Sequence, residues 1–405
     1  MLTRRTFTLA ALSLSLGAGW ASAQKTKVWT DAEVMKVHRS AILIDTHNDV
    51  TSKTVEGVEL GKSSTEGHTD IPRMKQGGMT AEFFAAYVAT GNMEGNKSAH
   101  RALQMIDTIR HDIAEKYSNE MVFTTTAAGI VKAKKQGKIA ALIGIEGGHA
   151  IEDDVRLLRD YYALGVRYMT LTHTKNLSWA GSSGEKDNQG INELGRQVIA
   201  EMNRLGIMVD IAHVSDKTFW DALEASKAPI FSSHSSCRSL SNIPRNMTDE
   251  MIQALAKKDG VVQINFGCEF LSQKSQDSSP MRDPAFMARA EKVMADIKDP
   301  KERRAAMRKL MSEMGKATVR ATIDDVVAHI DHVKKIAGID YVGLGSDFDG
   351  VGCVPEGLDD VSKWPNLTRK LLEKGYTPAE IRKVYGGNLL RVMTAVEKAA
   401  AVPPR

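Results

Sequence analysis

The chain has 405 residues, 42% of them hydrophobic, with 54 Lys and Arg against 50 Asp and Glu, for a formal net charge of +4. That composition supports a sizeable core and excludes a disordered or largely membrane-embedded chain. Charge so near balance leaves no footprint for nucleic acid or an anionic membrane surface as the main partner.

The first element is a leader. Arg4-Arg5 is followed by an apolar stretch over residues 7–19 and by Ala21-Ser22-Ala23. A basic start, a short apolar centre and an A-x-A end mark a secretory signal over residues 1–23, and the apolar run is too short to span a bilayer. Thr3-Arg4-Arg5-Thr6-Phe7-Thr8-Leu9 resembles a twin-arginine export signal, with an ordinary secretory signal as the alternative. The expected mature protein, residues 24–405, is a single catalytic domain, periplasmic or secreted. No Cys lies near the cleavage site to carry a lipid, so no membrane anchor is expected.

Eight short apolar and β-branched runs come next, at 42–49, 80–88, 140–147, 166–173, 206–213, 229–234, 260–266 and 341–347. Longer helical patterns separate them, which predicts a parallel sheet; eight units fit a (β/α)₈ TIM barrel, with an open doubly wound sheet as the alternative. Residues 273–316, between the seventh and eighth runs, are rich in Met, Lys, Arg and Glu and predict a helical insertion, a lid or a subunit contact. Thr377-Pro378-Ala379-Glu380 carries the N-cap, Pro and capping-box pattern of a helix start, and Gly386-Gly387 is expected to stop that helix. Of the three cysteines, Cys237, Cys268 and Cys353, at least one must stay unpaired, and Cys237 with Cys268 is a candidate pair.

Six of the apolar runs end in a group able to bind a metal or move a proton: His47 and Asp49, Glu146, His173, His213, His234 and Asp347. In a barrel those ends meet on one face, whereas an open sheet would scatter them along a crevice. His47 and Asp49, two apart on a strand, point the same way. Glu146, followed by Gly147-Gly148, is a carboxylate with two oxygens, able to bridge two ions about 3.5–4 Å apart. The expectation is His47 and Asp49 on one metal, His213 and His234 on the other, and Glu146 between them. Taken singly, each is as well explained by a turn-capping Asp or a core His.

Several segments together resemble the membrane (renal) dipeptidase family of the amidohydrolase-like metal-dependent hydrolases. They are Asp45-Thr46-His47-Asn48-Asp49, Gly144-Ile145-Glu146-Gly147-Gly148, Leu171-Thr172-His173, Asp210-Ile211-Ala212-His213-Val214-Ser215, Ser233-His234-Ser235-Ser236, Arg245-Asn246 and Gly345-Ser346-Asp347-Phe348-Asp349-Gly350. The likeness runs from about residue 44 to 392, apart from the insertion. It implies two Zn²⁺ ions on the five ligands named above. It further implies His173 at the scissile carbonyl, Arg245 on the substrate's terminal carboxylate, Asp347 as acid and base, a dipeptide as substrate and a homodimer. Mammalian members carry a tyrosine where Gly267 stands, and their cysteine pattern is not repeated, so covalent dimerisation and lipid anchoring do not carry over.

The reaction so implied is hydrolysis of a dipeptide's amide bond by a metal-bridging water, with tolerance of a D-residue at the C-terminal position. The alternative on the same two-metal site is a hydrolase of a cyclic amide, lactone or β-lactam, which would not need Arg245. A catalytically silent binding protein would lack a ligand or Asp347, and the sequence has both. Asp349 is expected to support its loop, and His149 and Asp45 are candidates to brace the ligands. His68, His100, His111, His329 and His332 are expected to be ordinary surface or helix histidines.

Overall fold

The computed structural model describes residues 27–402, and the leader expected at 1–23 lies outside the described residues. Nine strands are described: β1 (Ile44–Asn48), β2 (Ala81–Tyr87), β3 (Met121–Phe123), β4 (Ile139–Glu146), β5 (Val166–Thr170), β6 (Met208–Asp210), β7 (Phe231–Ser235), β8 (Val261–Ile264) and β9 (Val342–Leu344). Neighbours run parallel in the order β1-β2-β4-β5-β6-β7-β8-β9, and β3 pairs with β4 beside that path. The eight apolar runs fall on the eight path strands. β3, which lies off that path, was not among the expected runs.

The ends of the path meet. Asn48 bridges Phe348 in parallel, Asp49 N donates to Phe348 O at 2.9 Å, and Asp347 N donates to His47 O at 3.0 Å. Thr46 Oγ1 adds a bond to Leu344 O at 3.1 Å. This sparse seam brings the sheet round into the expected barrel and joins β1 to the loop that carries Asp347.

Helices form where the local rules ask for them. Glu193–Leu205 starts at Asn192, whose side chain accepts from Gly195 N, and ends at Gly206 in the left-handed region. Its buried Val198, Ile199, Met202 and Leu205 repeat at helical spacing and face the strands. The capping box at Thr377 and Glu380 is present, with Pro378 at the first position. The expected stop at Gly386-Gly387 is a kink instead: a wide turn over Lys383–Gly387 leads directly into Asn388–Ala399.

That last helix closes the N-terminal end of the barrel. Asn388 Nδ2 donates to Ile339 O and Val342 O, and the Arg391 guanidinium reaches Gly260 O and Asp340 O. Its Leu389, Val392 and Val396 join Ile44, Phe83, Leu142, Tyr168, Met208, Phe231 and Val261 in one apolar cluster that fills the barrel. A larger cluster lies between the strands and the outer helices. With the lower end plugged, the C-terminal strand ends are left for chemistry.

The expected insertion lies between β8 and β9. Pro284–Asp296 and Pro300–Ala317 each begin with Pro behind a capping Asp, and Phe286, Leu310 and Met314 pack between them. The cysteine pairing differs from the expected candidate: Cys268 is bonded to Cys353, and Cys237 is the free, buried thiol. Spacing could not show this, because Cys268 and Cys353 are 85 residues apart and meet only once β8 and β9 are neighbours. Among the described residues no helix is long and apolar enough to cross a membrane.

Candidate metal centre

Each strand delivers its polar group at its C-terminal end. His47 lies on β1 with Asp49 just beyond it, Glu146 ends β4, and His234 lies on β7. His173, His213 and Asp347 follow β5, β6 and β9 by three residues each, and Arg245 lies in the loop after β7. Two of these turns are strained: His213 and Asp347 are non-glycine residues in the left-handed region, at φ 64° and 61°. Such backbone costs about 1–3 kcal/mol per residue and gathers where side chains must be aimed.

All eight expected residues converge. Glu146 is central, with Oε2 3.5 Å from His47 Nε2, and Oε1 3.0 Å from His213 Nε2 and 3.5 Å from His234 Nε2. Asp49 Oδ2 is 3.3 Å from His47 Nε2. His173 Nε2 is 3.6 Å from Glu146 Oε1. Ligand-type atoms of His47, Asp49 and Glu146 lie within 4.8 Å of one another, as do those of Glu146, His213 and His234. His47, His234 and Asp347 form a third such set, which joins Asp347 to the same cluster.

The residues fit a metal on observations of their own. His47 Nε2 is buried with no hydrogen-bond partner among the described residues, while its Nδ1 is 2.8 Å from the Tyr168 hydroxyl. The Nε2 atoms of His213 and His234 face each other at 3.1 Å. Burial pushes both imidazoles well below the usual histidine range, with Arg245 adding to it at His213 and His47 and Arg245 at His234, which favours the neutral form able to give lone pairs. Burial works against a charged His47, but Tyr168, Glu146 and Asp49 outweigh it and push its pKa well above that range. Carboxylates this dense need a cation, and a proton on His47 or a metal ion supplies it. Mixed nitrogen and oxygen donors suit zinc and its neighbours.

Asp347 is held so that it can carry a proton. Burial raises its pKa, His47 opposes, and Asp49 and Glu146 raise it again, to about 8. Asn265 Nδ2 donates to Asp347 Oδ2 at 2.8 Å, which leaves Oδ1 toward Asp49. Arg245 stands at the edge, donating from Nη1 to Ser235 Oγ at 2.8 Å and from Nη2 to His234 O at 2.9 Å. Its Nε is buried without a partner among the described residues, and burial draws its pKa down to about 10. A desolvated guanidinium with a donor to spare attracts a carboxylate.

Some supporting residues were expected and others were not. Asp349 does support its loop, taking the His68 N–H at 2.9 Å and Lys53 Nζ at 2.5 Å. His68 is half-buried, and its Nδ1 accepts the Asp349 N–H at 2.9 Å. His329 is wholly buried. Asp45 accepts from Ser346 N at 2.7 Å and from the Ser346 hydroxyl, tying the loop after β9 to β1, and His149 Nε2 meets Val88 O at 2.8 Å. Tyr168, Asn265 and Tyr87, whose ring stands edge-on to His173 at 5.0 Å, gave no signal in the sequence. They are apolar-run residues until the barrel brings them round.

Fold and site together define a metal-dependent hydrolase of the TIM-barrel class. The chain belongs to the membrane dipeptidase family, peptidase family M19, whose model matches residues 31–404. An uncharacterized dipeptidase of Schizosaccharomyces pombe is 34% identical over 387 residues, covering 90% of this chain and 83% of its own. Among solved structures, a family M19 dipeptidase aligns with TM-score 0.72 and 25% identity over 89% of this chain and 99% of its own. A metallopeptidase from Rhodobacter sphaeroides, solved with a phosphinate mimic of the dipeptide L-Ala-D-Ala, gives TM-score 0.72 and 25% identity over 88% and 99%. The probable dipeptidase PvdM of Pseudomonas aeruginosa, at 24% identity and TM-score 0.79 over 91% and 99%, shares the fold.

Proposed function

We propose that this protein is a binuclear zinc dipeptidase that accepts either an L- or a D-residue at the C-terminal position. The observation that carries the reading is the two-sided Glu146, with one oxygen toward His47 and the other toward His213 and His234. His47, Asp49, Glu146, His213 and His234 would hold the metals. When bound, such a pair supplies a Lewis acid for the scissile carbonyl and a water made nucleophilic near neutral pH.

The chain's own groups do the rest. Arg245 takes the substrate's C-terminal carboxylate on its guanidinium and thereby sets the register of the amide over the site. His173 donates to the carbonyl oxygen as negative charge develops there. Asp347, steadied through Oδ2 by Asn265, accepts the proton of the attacking water at Oδ1 and returns it to the departing amine. Tolerance of a D-residue is supported by the Rhodobacter metallopeptidase that holds the L-Ala-D-Ala mimic.

Substrate capping tests the reading. Free L-Ala-L-Ala and L-Ala-D-Ala should both be hydrolysed, and C-terminal amidation should cut kcat/KM by about 100-fold or more, because it strands the Arg245 site. Arg245→Ala should erase the difference between free and amidated substrates. Equal cleavage of both by the unmodified enzyme would contradict the proposal.

A further inference from the structure

Ser233 immediately precedes His234 on β7 and is wholly buried. Its hydroxyl oxygen lies 2.6 Å from Asp210 Oδ2 and 2.7 Å from His234 Nδ1. A hydroxyl has one proton to give, so only one of these contacts can be its donation.

Asp210 decides which. Besides Ser233 Oγ, it receives Thr170 Oγ1 at 2.5 Å, the Ser233 N–H at 2.8 Å and the Ala212 N–H at 3.0 Å. The two N–H groups can only donate, and with the Thr170 hydroxyl they favour an ionised, acceptor-only carboxylate against the burial that raises its pKa. The Ser233 proton therefore points to Asp210, and the oxygen is left as an acceptor toward His234. His234 Nδ1 must then carry the ring proton. Its Nε2 is the bare nitrogen, 3.5 Å from Glu146 Oε1 and 3.1 Å from His213 Nε2.

We propose that Asp210 and Ser233 form a relay that fixes the tautomer and ring orientation of His234, making Ser233 a positioning residue for metal binding at His234 Nε2. This rests on the reading of His234 as a ligand. Groups behind a ligating histidine raise its basicity and hold its ring, and losing one costs about 10–100-fold in metal affinity. The structure also supplies the control. Asp210 ties β5, β6 and β7 together, and Thr170 on β5 donates to the same carboxylate oxygen as Ser233 but, among the described residues, has no hydrogen bond to a histidine. A merely structural role for Asp210 would make the two hydroxyls equivalent, whereas the relay separates them.

The test is zinc affinity of the metal-free full mature chain, by competition with a coloured chelator, for the wild type, Ser233→Ala and Thr170→Val. The visible absorption of each protein loaded with Co²⁺ reports the ligand field directly. Ser233→Ala should bind zinc about 10–100-fold more weakly and shift the Co²⁺ spectrum. Thr170→Val should lose thermal stability while keeping wild-type affinity and spectrum. If Ser233→Ala does not fold, Asp210→Asn replaces it, since an amide frees the serine to turn its proton toward His234, and the same loss is expected. Wild-type affinity and spectrum in the serine variant, or an equal loss in Thr170→Val, would overturn the relay. A wild-type chain that binds no zinc would overturn the metal reading itself, and the relay with it.

Discussion

Position 350 has no room for a methyl group. A Cβ there would overlap the carboxylates of Asp49 and Asp347, the two acids that the loop after β9 brings together. Overpacking of this kind costs about 1–3 kcal/mol and is relieved by whichever neighbour moves most easily, here a carboxylate of the site. Gly350→Ala is therefore expected to fold, with a wild-type circular dichroism spectrum, but to bind zinc at least about 10-fold more weakly; unchanged affinity would show that the approach is not critical. A similar constraint explains Gly144, whose added Cβ would meet the Tyr168 ring that reaches His47. The ligand-type residues were legible in the sequence because titratable groups, costly to bury unpaired, end six apolar runs together. Tyr168 and Asn265 were not, because a tyrosine or asparagine in such a run is unremarkable until β1, β5, β8 and β9 share one barrel mouth. Ser233 and Asp210 were visible within motifs, but their relation depends on the register between β6 and β7.

The helical connection after β8 is fastened at its root. The Cys268–Cys353 disulfide and the bond from Cys268 N to Cys353 O at 3.0 Å tie it to the loop that follows Asp347. Closing a loop of that span stabilises the fold by about 2–5 kcal/mol, so Cys353→Ser should lower the melting temperature of the metal-loaded protein; an unchanged melting curve would contradict that role. The opposite face of this region rests on His329, in the helix Ile323–Ile336. Its Nδ1 accepts the Cys237 N–H at 3.0 Å and its Nε2 donates to Leu271 O at 2.9 Å, an arrangement open only to the neutral ring. Burial draws its pKa from the ordinary 6.5 to about 4. The unfolded chain thus takes up this proton first, and the stability contributed by neutral His329 is full above about pH 6.5 and lost as pH falls toward 4. Urea titrations at pH 7.5 and 5 should show a larger loss for the wild type than for His329→Gln, whose amide can keep both bonds without titrating. Equal losses would contradict the assignment. The sequence showed the helix but could not show that its histidine is buried, because polar and apolar faces alternate there over a single turn.

Across the whole molecule, the barrel was legible because eight apolar runs separated by helical patterns leave few topologies, and the placement of the polar groups at their ends favoured closure over an open sheet. What the pattern could not supply was the closing itself. The seam between β9 and β1 rests on Asp347 N to His47 O, Asp49 N to Phe348 O and the Thr46 side chain, all within or beside the site. The barrel therefore closes through the candidate site, and a metal held there would also brace this sparse join of the sheet. The most direct test of the central claim is the metal content of the purified chain, equilibrated with zinc, freed of excess and measured by mass spectrometry against protein concentration. Two zinc ions per chain, both lost on chelation together with dipeptide turnover, is the expected result. A chain that turns over dipeptides while holding one ion or none would contradict the two-sided role of Glu146 on which the account rests.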